Sequence, residues 1–290
     1  MAKVHVLRQK AYSRSGAGGL VNFVLLLILA AMMALPMAFT VVNAFKPISE
    51  LFIFPPKLWV SNPTLANFQG IAGVLRESIV PLERYILNSV IITGLGVVGQ
   101  VVIASLAAYV LAKEEFPGRA FFNSTIVLAL MFNGAVTQIP SYIVMAKVGL
   151  VNTLGALILP TFCSTVGLYL MRQFMEQMVH DAILEAARID GAGELHIFFK
   201  IVMPMCKPAW LTLIILAFQG AWGNTGGLFI YDEQLKTLPY AMQNVMSSGI
   251  IARAGISSAT ALLLIVPPLA AFILSQSNIL ETMTASGMKD

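Results

Sequence analysis

Charge is what this chain has least of. Only 11% of its 290 residues are Asp, Glu, Lys or Arg, while 58% are hydrophobic, and that balance excludes a soluble globular domain. No Gly-Lys dipeptide occurs anywhere, so there is no Walker A phosphate loop and no nucleotide site of the chain's own. The only two cysteines, Cys163 in an apolar run and Cys206 in a polar connection, give neither a disulfide nor a metal spacing. His5, His180 and His196 stand at unrelated spacings, which excludes a zinc site. The sequon Asn123-Ser124-Thr125 falls inside an apolar run, out of reach of glycosylation. No basic stripe with interleaved aromatics is present, so the +4 net charge is assigned to the anionic inner leaflet and not to nucleic acid.

What is there is long apolar sequence. Residues 20–45, 85–112, 120–146, 148–171, 208–231 and 254–280 contain no Asp, Glu, Lys or Arg, and each reaches the roughly 20 residues of a spanning helix. All 18 basic and 14 acidic residues lie between these runs, since a charge at mid-bilayer costs about 2.5–3.5 kcal/mol even on lenient scales. The pattern predicts an all-α polytopic membrane protein with six transmembrane helices. Lys and Arg on alternate sides number eleven against seven, and Lys3, Arg8, Lys10 and Arg14 cluster before the first run, so both termini are expected in the cytoplasm. A cleaved signal peptide is the rival for the N-terminus, and the 26-residue first run is too long for one. The expected division is a cytoplasmic tail over 1–19, a membrane domain over 20–280 holding a cytoplasmic loop at 172–207, and a tail over 281–290.

Between the first two runs, Pro47, Pro55, Pro56, Pro63 and Pro81 predict extended, turn-rich backbone on the outer side. Phe52, Phe54 and Trp59 are expected there at headgroup depth. Pro117-Gly118 marks a tight inner turn between Lys113 and Arg119. Pro140 and Pro160 interrupt the third and fourth runs, so the third helix is expected to end near Gln138, with 139–153 along the outer interface.

The 172–207 loop is the most informative stretch. Asp181 suits an N-cap and Gly191 a left-handed C′ position, bounding a helix of about nine residues that is marginal in water unless docked. Ala182, Ala186 and Ile189 form a smooth face with Glu185 and Asp190 at its rim, a pattern for helix-in-groove recognition. Leu195, Phe198, Phe199 and Val202 fall at i, i+3, i+4 and i+7 and predict a second amphipathic helix, after which Pro204 and Pro208 turn the chain into the fifth run.

Glu185-Ala186-Ala187-Arg188-Ile189-Asp190-Gly191-Ala192, followed by Phe198, Ile201, Pro204 and Pro208, closely resembles the cytoplasmic coupling loop of ABC importer permeases. The Asp190-Gly191-Ala192 ending is similar to the carbohydrate-uptake branch. With each fixed residue met about once in fifteen at average usage, the Glu, Ala, Ala, Asp, Gly and Ala matches are on the order of a 10⁻⁷ event per start position. Asn43-Ala44-Phe45-Lys46, the run Pro63 to Phe68 and the closing Gly287-Met288-Lys289-Asp290 resemble the smaller permease of maltose-type sugar importers.

The resemblance implies that Glu185, Ala186, Ala187, Asp190 and Gly191 couple the chain to a cleft on a cytoplasmic ATPase subunit. It also implies a second homologous permease, two ATPase subunits, an extracytoplasmic sugar-binding protein and a place in a bacterial cytoplasmic membrane. ATP and magnesium would belong to the ATPase subunits, leaving this chain a transport subunit with no cofactor and no covalent chemistry. Alternating access would carry a sugar, with an oligosaccharide expected. The alternatives are an ABC permease for a non-sugar solute and an ATP-independent carrier. Against the carrier stand the lack of intramembrane charge and of an inverted repeat.

Polar residues within apolar runs must face protein or a cavity. In the third run these are Asn133 and Gln138; in the fifth, Gln219, Trp222, Asn224 and Tyr231. Amides and rings suit a sugar, yet they also tie helices together, and Gly223, Gly226 and Gly227 allow close packing. Both readings stay open. The 232–255 loop either probes the binding protein, as the resemblance implies, or simply returns to the membrane. Reconstituted alone, the chain is expected to bind no fluorescent ATP analogue and to release no phosphate from ATP. Hydrolysis by the isolated chain would remove the permease reading.

Overall fold

A computed structural model describes residues 16–76, 80–132, 134–247 and 254–286. The first fifteen residues of the amino-terminal tail, Asn133 and the closing Gly287-Met288-Lys289-Asp290 lie outside the described residues. Every regular element described is helical. In order they are α1 (Gly16–Phe45), α2 (Ile48–Leu51), α3 (Ala66–Arg76), α4 (Leu82–Lys113), α5 (Arg119–Leu130), α6 (Gly134–Lys147) and α7 (Gly155–Phe162). There follow α8 (Thr165–Met178), α9 (Asp181–Ile189), α10 (Glu194–Ile197), α11 (Met203–Met205), α12 (Lys207–Trp222), α13 (Leu238–Ser247) and α14 (Ala254–Ser286).

Among the described residues four stretches are long and apolar enough to cross a bilayer: Gly18–Ala44, Leu82–Lys113, Gly155–Met178 and Ala254–Ser275. A fifth is added if the bent pair Glu194–Met205 and Lys207–Trp222, which meet at 83°, counts as one. The third apolar run does not make one straight helix. It ends at Leu130, where Met131 and Phe132 donate back to Leu128 and Ala129, and resumes at Gly134. The expectation that the third helix ends near Gln138 is therefore corrected: Gln138 and Pro140 both lie inside α6.

α4 is the central post. α7 and α8 pack on it, α12 packs beside them, and α14 closes against both α12 and α1. The close crossing of α4 and α7 needs glycine, since a Cβ on Gly99 would stand 2.0 Å from the Phe162 ring. Toward the end expected to be cytoplasmic, Ala104, Ala108, Met171, Met175 and Leu213 form one core with Leu184, Ile197 and Phe198 of the loop elements. Toward the end expected to be outer, Ala44, Ile71, Tyr85, Met242 and Ala259 form a second.

The outer connections are more ordered than their prolines predict. Pro47 to Pro63 do hold turns, but the segment then forms α3, because Phe68, Ile71 and Val74 fall at helical spacing and join the outer core. Asn67 fastens it. Its amide donates to the carbonyls of Ala44 at 2.9 Å and Lys46 at 2.8 Å, capping the end of α1. Thr64 N–H donates to Phe45 O at 2.9 Å, and the Phe45 and Phe68 rings meet at 5.3 Å. Gly255 is required opposite, since a Cβ there would stand 2.3 Å from Asn67 Oδ1. Buried Glu50 accepts the N–H groups of Ser61 and Asn62, each at 3.0 Å, which hold its pKa below the usual carboxylate range. Phe54 and Trp59 are left 93% and 82% exposed at the tip.

Asn67→Ala removes two buried hydrogen bonds and leaves carbonyls unmatched, a loss of about 1–3 kcal/mol. The unfolding midpoint of the detergent-solubilised chain is expected to fall clearly below that of the wild type. An unchanged midpoint would show that the cap contributes nothing.

Candidate functional site

The loop between α8 and α12 folds back on the first of these cores. α9 is nine residues long and ends at Gly191, whose φ of +81° suits glycine. Gly191 N–H donates to Arg188 O and Ala192 N–H to Ala187 O, both at 3.0 Å, the paired bonds of a Schellman ending. The start differs from expectation. His180 holds the cap position with no side-chain cap bond, and Asp181 is the first helical residue. Its carboxylate is drawn instead to Lys113 Nζ at 2.8 Å, a charged donor that outcompetes backbone N–H groups.

α9 has two faces. Leu184 and Ala187 turn inward against Met175, Ile197 and Phe198. Ala182, Glu185, Ala186, Ile189, Asp190 and Gly191 are exposed, and Ile189 is 86% so. Ala187 is thus separated from the other coupling candidates: its methyl packs in the core behind the presented face. The second amphipathic stripe is also corrected. A π-turn over Phe198–Val202 shifts the helical phase, so Ile197, Phe198, Val202 and Cys206 are buried while Leu195 and Phe199 stay exposed. Trp210 Nε1 donates to Met203 O at 3.0 Å across the bend between α11 and α12.

An ionic knot fixes α9 from behind. Arg188 donates Nε to Glu194 of α10 at 2.7 Å, and its Nη2 donates to Glu114 just beyond α4. The other Glu194 oxygen accepts the Tyr109 hydroxyl at 2.7 Å, and the Tyr109 and Phe198 rings meet at 5.6 Å. Bonds from Arg188 and Tyr109 hold the Glu194 carboxyl below its ordinary range, as Lys113 does for Asp181. Lowered carboxylate pKa values contribute stability that is fully present at neutral pH and is lost only as the pH falls through the carboxylate range. None of Tyr109, Glu114, Arg188 and Glu194 was singled out from sequence. The legible signal was the opposite charge of Arg188 and Glu194 across the Gly191 turn.

α12 presents Leu216, Gln219, Gly220 and Gly223 on one exposed face, with a cavity on either flank. The larger, about 610 Å³, lies among α12, α13 and α14 and is lined by Gln219, Trp222, Thr225, Gln243 and Phe272 among others. Trp222 is a wall of it: its indole N–H donates to Leu264 O at 3.2 Å and its ring stacks on Phe218 at 5.8 Å. The smaller, about 330 Å³, lies toward α4, α7 and α8. Three expected path residues are not brought to either cavity. Asn224 is spent in a turn, accepting Gly226 N–H at 2.9 Å through its side chain and the Thr237 hydroxyl at 2.8 Å through its carbonyl. Gln138 is exposed on α6, away from both, and Tyr231 is 74% exposed in the following loop. Gln243 was missed because α13 was read as part of a loop, although Leu238, Ala241, Met242 and Val245 repeat at helical spacing.

Arg188→Ala leaves two carboxylates without their shared cation. A glutamate-specific protease added to inside-out vesicles is expected to cut at Glu185 several times faster than in the wild type. Equal rates would show that the knot does not fix α9.

Residues 18–282 match the family described as binding-protein-dependent transport system inner membrane component. The chain is 29% identical to the diacetylchitobiose uptake system permease protein NgcG of Streptomyces coelicolor, over 70% of this chain and 66% of that protein. It is 29% identical to the arabinooligosaccharides transport system permease protein AraQ of Halalkalibacterium halodurans, over 88% of this chain and 90% of that one. In fold it is similar to a chain of a bacterial ABC transporter involved in the import of the acidic polysaccharide alginate, with a TM-score of 0.76, 22% identity and coverage of 89% and 95% respectively. With the match spanning nearly the whole membrane region, the chain belongs to the binding-protein-dependent transport system inner membrane components, the permease subunits of ABC importers, which move solute without being enzymes.

Proposed function

We propose that this chain is the smaller permease subunit of an ATP-driven bacterial saccharide importer, working with a second homologous permease, two cytoplasmic ATPase subunits and an extracytoplasmic sugar-binding protein. The relatives named for diacetylchitobiose and arabinooligosaccharides support the cargo. ATP and magnesium stay on the ATPase subunits. Both termini are cytoplasmic, and α5 with α6 completes a third crossing, giving six with α1, α4, α7–α8, α12 and α14.

The observation that carries the reading is a short helix held rigidly from behind with an apolar face turned to water. Ile189 exposed beside Ala182 and Ala186 offers a smooth apolar surface to a groove, and Glu185 and Asp190 supply acceptors at the rim. An ATPase cleft that closes around ATP would push on α9. The knot passes that push to α4, and the bend at Cys206 passes it to α12. Gln219 and Trp222 then line the part of the path that opens and closes, with Gln219 offering its amide to sugar hydroxyls.

The test uses the whole complex. A Cβ at Gly191 meets no atom within 4 Å, so the main effect of Gly191→Val comes from the positive φ that a β-branched residue resists; Glu185→Lys places the wrong charge at the rim. Both variants are expected to reach the membrane at wild-type levels, to co-purify less ATPase and to take up no labelled saccharide. Normal uptake by both would show that α9 is not the transmission element.

A further inference from the structure

The helix of the fourth expected span, Gly155–Met178, is interrupted near its middle. α7 stops at Phe162 and α8 starts at Thr165, with Cys163 N–H reaching Pro160 O at 3.3 Å and Ser164 Oγ accepting Gly167 N–H at 3.1 Å. Non-helical backbone at membrane depth persists only within protein or beside a polar cavity. Here the smaller cavity lies against the break, lined by Thr161, Ser164 and Gly167 on one side and by Gly220 of α12 on the other. The 14-residue α8 points its N-terminus there, with the partial positive charge of its free N–H groups.

A second observation points to a ligand. Gln100 of α4 is only 7% exposed, lines this cavity, and makes no side-chain hydrogen bond among the described residues. Its Nε2 would stand 3.2 Å from a Cβ on Gly167, so glycine there leaves the amide its room. A primary amide without a side-chain partner here brings two donor hydrogens and an acceptor oxygen to whatever occupies the cavity.

We propose that the break in the fourth span and the Gln100 amide form a binding site for the hydroxyl groups of a neutral saccharide, midway along the transport path. Gln100 both donates and accepts, as a sugar hydroxyl does, and the first turn of α8 supplies further donors. Among the residues lining this cavity and the larger one beyond α12 there is no Asp, Glu, Lys, Arg or His. A carboxylated or phosphorylated solute meets no ionic counter-charge among these residues and only the partial charge of the α8 N-terminus, which is weaker than the cost of desolvating a full charge, so the site favours uncharged sugars. This inference rests on the saccharide reading above and adds to it the residues and the charge class.

The complete complex in proteoliposomes, loaded with its ATPase and binding protein, is offered labelled neutral di- and trisaccharides of glucose, arabinose and N-acetylglucosamine, and separately a uronate oligomer. The wild type is expected to take up a neutral probe and to reject the uronate. Gln100→Leu is expected to carry about tenfold less sugar per ATP hydrolysed, the effect of one lost hydrogen bond. General damage would lower uptake and hydrolysis together and leave that ratio unchanged, which overturns the site, as does an unaltered Gln100→Leu. Uronate uptake equal to that of the neutral probes overturns the charge selection. A wild type that moves none of the probes instead removes the saccharide reading. Gly220→Val supplies an independent arm, because a Cβ there meets nothing within 4 Å yet enters the cavity; it is expected to assemble and to lose uptake per ATP. Failure of both variants to assemble would assign Gln100 and Gly220 to packing and overturn the proposal.

Discussion

Hydrocarbon accepts neither a charge nor an unmatched backbone group, and every feature of this chain answers to that constraint. The charges excluded from the spans are not scattered over the ends. On the inner side Lys113 pairs with Asp181, while Arg188 gathers Glu114 and Glu194. On the outer side Lys46 is buried against Asn43 Oδ1 at 3.0 Å and Lys57 O at 2.5 Å, and Asn67 closes the end of α1. Span ends are where backbone carbonyls run out of partners and where charge becomes permissible, so they are where polar structure collects. Arg119 does the same work on α4, donating to Leu111 O at 2.9 Å and Ala112 O at 2.8 Å.

The same constraint explains how so short a helix as α9 is held in place. Nine residues give too little cooperative stability to stand alone in water. Leu184 and Ala187 supply burial, Gly191 satisfies the last carbonyls, and Arg188 supplies two ionic ties. Surface ion pairs are individually worth little, but Arg188 and Tyr109 converge on one Glu194 carboxylate, which fixes orientation even where it adds little energy. Stabilisation drawn entirely from behind leaves the opposite face free of obligations within the chain.

Which of this the sequence disclosed follows from range. Charge-free runs, the Gly191 exit and the 172–207 loop are local patterns, readable because a helix needs neighbours only three or four residues away. The π-turn at Phe198–Val202 changed which side chains are buried, and periodicity assumes a constant 3.6-residue turn. Asp181 looked like a cap because Lys113 is 68 positions away in sequence. Asn224 looked like a pore residue because the turn it holds closes onto Gly226 and Thr237. Gln219 and Trp222 came to a cavity, and Gln100 was passed over, because a polar residue in an apolar run is equally a packing residue until its partners are known. Asn43 to Lys46 and Pro63 to Phe68, separate resemblances along the chain, are physically one joint through Asn67 and the Phe45–Phe68 contact.

α4 and α12 give the two ends of the molecule a common mechanism. α4 carries Gln100 at mid-span, and its inner end holds α9 through Lys113 and, one residue on, Glu114. α12 begins at the 83° bend that follows α10 and α11, and carries Gln219 and Gly220 between the two cavities. A packed interior resists gradual deformation and moves between discrete arrangements. Displacing α9 therefore either breaks the Arg188 knot or moves the walls on which Gln100 and Gln219 stand. On the reading proposed above, and with the knot intact, work done on the exposed face of α9 would arrive at the cavity walls that carry Gln100 and Gln219, with no charge needed inside the spans to receive it.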